Sequence, residues 1–160
     1  MWFVRGLAGF SVLAFSTIVA LAANQACYRP DDMEAEQGVR YMTELMVVND
    51  TCKQHIYETF IQHNRAALTA YHAQLLQHYR GAGDRRAEDT LDRWVTHVAN
   101  DTAMAIGAVP VATLCAGKAA FFATADALAG ESFHGYIVAL ANQHQQEYRR
   151  CAEPRAAGAK

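Results

Sequence analysis

The sequence predicts an all-α fold, an up-down bundle of four to five helices stapled by disulfides and preceded by an N-terminal signal peptide. Three observations point there. About 30 alanines, the strongest helix formers, are spread along the 160 residues. No alternating run of β-branched residues bounded by hairpin turns occurs. The three prolines, Pro30, Pro110 and Pro154, fall where helices are expected to begin or end.

The first segment carries one charge, Arg5, and then runs apolar from Gly6 to Ala23, closing on the small-x-small triplet Ala20-Leu21-Ala22. That is the pattern a signal peptidase accepts, so residues 1–22 are expected to be removed and 23–160 to form a single domain. An uncleaved anchor is the competing reading, because about 18 apolar residues just span a bilayer. A lipid-modified Cys27 fits less well, since Asn24-Gln25-Ala26 lacks the aliphatic residue such signals carry. The expected place of the mature chain is periplasmic or secreted, with no membrane span of its own, and the alanine-rich, signal-bearing composition suggests a bacterial protein.

Helix one is expected after Asp31-Asp32, with Val39, Met42, Leu45 and Met46 as its apolar stripe, ending near Asn49-Asp50-Thr51. Helix two carries Tyr57, Phe60, Ile61, Leu68, Tyr71, Leu75 and Tyr79 on one face, with Asn64 among them, and stops at Gly81 and Gly83. Helix three opens at Asp84 and turns Leu91, Trp94, Val95, Val98, Thr102 and Ile106 inward, ending at Gly107. Helix four, Pro110 to Leu128, has Leu114, Phe121 and Phe122 on one side and Ala112, Ala116, Ala119 and Ala123 on the other. Being apolar nearly all round, it is expected at the centre. Helix five runs from Phe133 through Tyr136, Ile137, Leu140, His144 and Tyr148 to Cys151.

Four cysteines in an exported chain favour two disulfides over metal or thiol chemistry. In an up-down bundle, Cys52 in the first turn and Cys115 near the start of the fourth helix share one end, so Cys52–Cys115 is the preferred pair. Cys27–Cys151 follows by elimination. It carries a tension, because Cys151 ends the last helix at that same end while Cys27 precedes a helix starting at the other.

The composition, 52% hydrophobic and 19% charged with a net charge of -2, suits a globular core and gives no basic footprint for nucleic acid. No Cys-x-x-Cys occurs, and Glu131 with His134 makes the sole Glu-x-x-His, half of what a di-iron bundle needs. No metal or cofactor is therefore expected. Nor is a catalytic residue assigned: Ser132, the only serine after the signal, lacks a nucleophile elbow. Three residues are marked for ligand binding. Lys118 is ringed by Leu114, Cys115, Phe121 and Phe122, His144 lies on the stripe of the last helix as its best core candidate, and Asn64 is a polar residue on an apolar face. The expected activity is binding, structural or stress-related, with an unidentified protein or small ligand as partner. The alternative is a metal- or small-ligand-binding bundle, possibly an enzyme, with a site near Lys118 and His144. The seven histidines add an option: acid would charge them and loosen any helix that buries one.

Overall fold

The computed structural model describes residues 27–152; the expected signal segment, 1–22, lies outside them. The described chain is all-helical: α1 (Pro30–Thr51), α2 (Ile56–Gly81), α3 (Ala87–Gly107), α4 (Val111–Gly117), α5 (Ala119–Ala127) and α6 (Glu131–Gln143), followed by a single 3₁₀ turn, Gln145–Glu147. Two disulfides join Cys27 to Cys151 and Cys52 to Cys115.

Helix α1, the most buried of the six, packs against α2, α3 and α6, while α5 packs against α2. It starts on Pro30, whose missing N–H is no loss in a first turn. The Asp32 carboxylate accepts the Arg29 backbone N–H at 2.9 Å and so closes that turn. At its other end Asn49 Oδ1 accepts the N–H groups of Ile56 and Tyr57, at 3.2 and 3.3 Å, and thereby caps α2 from the neighbouring helix. The core between them is aromatic: Phe60 meets Phe133 edge-on at 5.0 Å, and Tyr41 lies 5.7 Å from Phe60.

Where α1 crosses α2, the face of Gly38 lies against the ring of Tyr71, and a Cβ there would overlap the ring carbons. Both residues are buried. Gly38→Ala is therefore expected to destabilise the fold by about 2 kcal/mol, through overpacking that outweighs any gain in helix propensity. A urea unfolding curve reads this as a lower midpoint at unchanged slope.

Three expectations differ from the structure. The fourth helix is broken at Lys118, where φ −94° and ψ 5° leave the helical region directly after Gly117. It is also peripheral. Ala112, Ala116, Ala119 and Ala123 are all exposed, and only Leu114, Phe122 and Ala125 are buried on α4 and α5. An alanine face has too little area to compete for the centre against the leucines and aromatics of α1 and α2. Third, the last helix stops at Gln143, so that Tyr148 is extended and Cys151 lies beyond the helix. This extended tail runs beside the start of the chain: Tyr28 N–H donates to the Arg149 carbonyl at 2.9 Å, and Cys151 N–H to the Tyr28 carbonyl at 3.0 Å. The tail's return to the start of α1, rather than a climb by Cys27, is what brings the outer cysteines together.

Among the described residues no single helix is long and apolar enough to cross a membrane, and α3 and α4, apolar enough only as a pair, meet at 111°. Their elbow leaves Met104, Val109 and Val111 exposed.

Candidate functional site

The most buried helix is also rich in buried polar groups. Asp32, Glu36, Gln37, Thr43 and Asn49 of α1 are all buried, which is tolerable only because each finds partners. Asp32 sits 3.2 Å from Nδ1 of His78 and accepts a 2.6 Å hydrogen bond from Gln74. Glu36 accepts from Arg40 Nη2 at 3.0 Å and from the Tyr148 hydroxyl at 3.3 Å. Tyr148 in turn accepts from Gln37 at 2.7 Å. The extended tail held by Cys27–Cys151 thus roofs this row with Tyr148, while Tyr28 stacks on His78 at 4.2 Å. Burial first, and the Glu36 carboxylate second, raise the hydroxyls of Tyr28, Tyr79 and Tyr148 above the ordinary phenol value, Tyr79 to about 12. All three stay protonated, and Tyr148 is the one that donates to Glu36.

The row opens into a cleft of about 460 Å³ between α1, α5, α6 and the 3₁₀ turn. Gln37, Arg40, Tyr41 and Glu44 line one wall; Phe121, Tyr136, Leu140, His144 and Glu147 line the other. Its charged groups are paired. Lys118 Nζ donates to Glu44 at 2.9 Å, and Nδ1 of His144 lies 2.6 Å from Glu147. Two groups of the α1 wall are not: the Tyr41 hydroxyl and the Arg40 Nε are buried without a hydrogen-bond partner, the Arg40 guanidinium lying 5.4 Å over the Trp94 ring. Burial, and after it Tyr136 and Glu44, raise the Tyr41 hydroxyl well above its ordinary value, so Tyr41 is a neutral donor. An orphaned buried hydroxyl is a liability to the fold. Tyr41→Phe is expected to raise stability by about 1 kcal/mol, seen as a higher melting temperature.

The three residues marked from sequence fall in two places. Lys118 and His144 meet the same cleft, Lys118 through Glu44 and beside the Phe121 ring at 4.9 Å, His144 as part of the wall. Lys118 is not a desolvated amine, for its side chain is 29% exposed and ion-paired. His144 is no core residue either, with its side chain 41% exposed at the end of α6, because the helix stops one residue before it. Asn64 lies elsewhere. Its buried amide donates to the Phe60 and Leu128 carbonyls, and its oxygen accepts the Gly130 N–H, which ties α2 to the α5–α6 turn. All of its strong positions are used internally, so it has nothing left for a ligand.

Sequence reasoning missed Arg40, Tyr41, Glu36 and His78. For His78 the signal existed: Asn64, Leu68, Tyr71, Leu75 and His78 follow the four-three spacing of one buried face. It is the one buried histidine of the seven, and it faces Asp32.

A second groove of about 630 Å³ lies over Val39, Met42, Ile61, Leu68 and Val95, with Arg65, His72 and Asp92 at its edge. No buried polar group is left unpaired in it. Among the described residues no group of three acidic, histidine or cysteine side chains could hold a metal ion. Comparison with protein-family models, curated proteins and solved structures gives no match, so function rests on the geometry of the site alone.

Proposed function

We propose that this chain is a small exported protein that holds a small ligand without transforming it. In this reading residues 1–22 are a signal peptide, the mature domain is an up-down bundle acting in the periplasm or outside the cell, and the ligand sits in the cleft between α1 and α6. Two disulfides fit an oxidising compartment. The single observation that carries the binding role is a cleft of ligand size whose charged groups are already ordered by their own ion pairs while its α1 wall keeps two buried groups unsatisfied. In this reading the ligand is held rather than transformed, and His144, held by Glu147, serves as part of the wall.

Small-molecule fragments titrated into the ¹⁵N-labelled mature protein test this. Shifts are expected to cluster on residues 37–44 and 136–147, and Leu140→Trp, which fills the cleft, abolishes them. Shifts confined to the groove over Val39 and Ile61, or none at all, overturn the reading.

A further inference from the structure

The unsatisfied groups in the cleft also state what chemistry its occupant carries. Both the Tyr41 hydroxyl and the Arg40 Nε are donors, adjacent on α1, buried and unpartnered. Tyr41 is 5% exposed, and its ring lies 5.4 Å from those of Tyr136 and Phe121, both in the opposite wall of the cleft. An occupant that satisfies them brings an acceptor oxygen.

Charge selects further. The permanent charges that line the cleft are Arg40, Glu44 and Glu147, and the first two are held by Glu36 and Lys118. Arg40 is committed to Glu36 and Lys118 to Glu44, which leaves Glu147 with only the imidazole of His144. A plain anion placed on the two donors would meet this surplus carboxylate. An occupant with its own cation removes that repulsion and gives Glu147 a partner. The remaining lining, Phe121, Tyr136 and Leu140, is apolar and asks for an apolar body.

We propose that the cleft takes a small zwitterion with an apolar side chain, of the free amino acid class, whose carboxylate meets Tyr41 and Arg40 and whose ammonium faces Glu147. This rests on the binding role proposed above and adds its ligand class.

Four probes separate the terms: L-phenylalanine, L-leucine, N-acetyl-L-phenylalanine, which lacks the ammonium, and phenethylamine, which lacks the carboxylate. Titrations of the labelled mature protein are expected to give cleft shifts with both amino acids, and about tenfold weaker binding for each of the two blocked analogues of phenylalanine. Tyr41→Phe is expected to weaken L-phenylalanine about tenfold with melting temperature undiminished, and Glu147→Gln to weaken it while strengthening N-acetyl-L-phenylalanine, whose carboxylate no longer meets a like charge. Either blocked analogue binding as tightly as L-phenylalanine overturns the zwitterion assignment. So does cleft binding of uncharged fragments with neither amino acid bound, in which case the binding role survives. Absence of any cleft binder removes both.

Discussion

Replacing Cys27 and Cys151 together by alanine is expected to lower the unfolding free energy by about 4–5 kcal/mol. Closing a loop between residues 124 apart removes conformational freedom from the unfolded chain worth about 5 kcal/mol in the chain-entropy account. The folded side adds to this. Once uncrosslinked, the tail is held only by its two backbone hydrogen bonds to Tyr28 and by Tyr148, so the cover over Glu36 and Gln37 frays. A buried Glu36 that gains water loses its reason to hold Arg40 in place. The inner staple, spanning 63 residues, is worth about 4 kcal/mol by the same account, but it ties α1 to the peripheral α4 and roofs no polar group. The two double variants should therefore differ in kind. Urea unfolding of both, with hydrogen exchange on α1, distinguishes them: faster exchange at residues 32–40 is expected only without Cys27–Cys151. Equal exchange in the two variants would remove the roofing role of the tail.

The helices were legible in the sequence because apolar spacing and glycine or proline stops report local geometry directly. α2 ends at Gly81 and α3 at Gly107 for that reason. What could not be read was which helix others surround. Burial of the polar positions of α1 depends on partners far away in sequence: Gln74 and His78 for Asp32, and Tyr148 for Glu36 and Gln37. A one-dimensional pattern shows Asp32, Glu36 and Gln37 only as polar residues. It ranks the alanine-rich segment at 111–127 as more central than it is, because hydropathy counts alanine as apolar without weighing its small area. The same limit applies to the site. Lys118 stood out as a charge among apolar neighbours and His144 as a core candidate on its stripe; His144 lines the cleft, and Lys118 meets it through Glu44. Tyr41 looked like one more aromatic, and its unsatisfied hydroxyl exists only in three dimensions. Asn64 was marked with them for its polarity on an apolar stripe, and its three internal hydrogen bonds show that polarity serving the join of α2 to the α5–α6 turn.

Asp32→Ala is expected to destabilise the fold by about 3–4 kcal/mol at neutral pH, because it strips partners from a buried site rather than removing an isolated charge. The carboxylate closes the first turn of α1, holds Gln74 and faces His78, which is itself buried. Loss of all three leaves two polar side chains of α2 unpaired at the α1–α2 contact. The charge contribution is separable by Asp32→Asn, which keeps the shape and is expected to lose about 2 kcal/mol at pH 7. Its pH dependence has a definite sign. Burial acts to raise the Asp32 carboxyl, but the side chain and backbone of Arg29, the amide of Gln74 and the charge of His78 outweigh it and hold it below the ordinary value of 3.8. A group depressed by folding contributes stability that is complete above the unfolded value and disappears as pH falls through the folded one. The gap between wild type and Asp32→Asn should thus be constant from pH 7 down to about pH 5 and close below about pH 4. Chemical denaturation at pH 7, 5, 4 and 3 measures it. A gap that persists unchanged at pH 3 would mean that the geometry of Asp32, not its charge, joins α1 to α2.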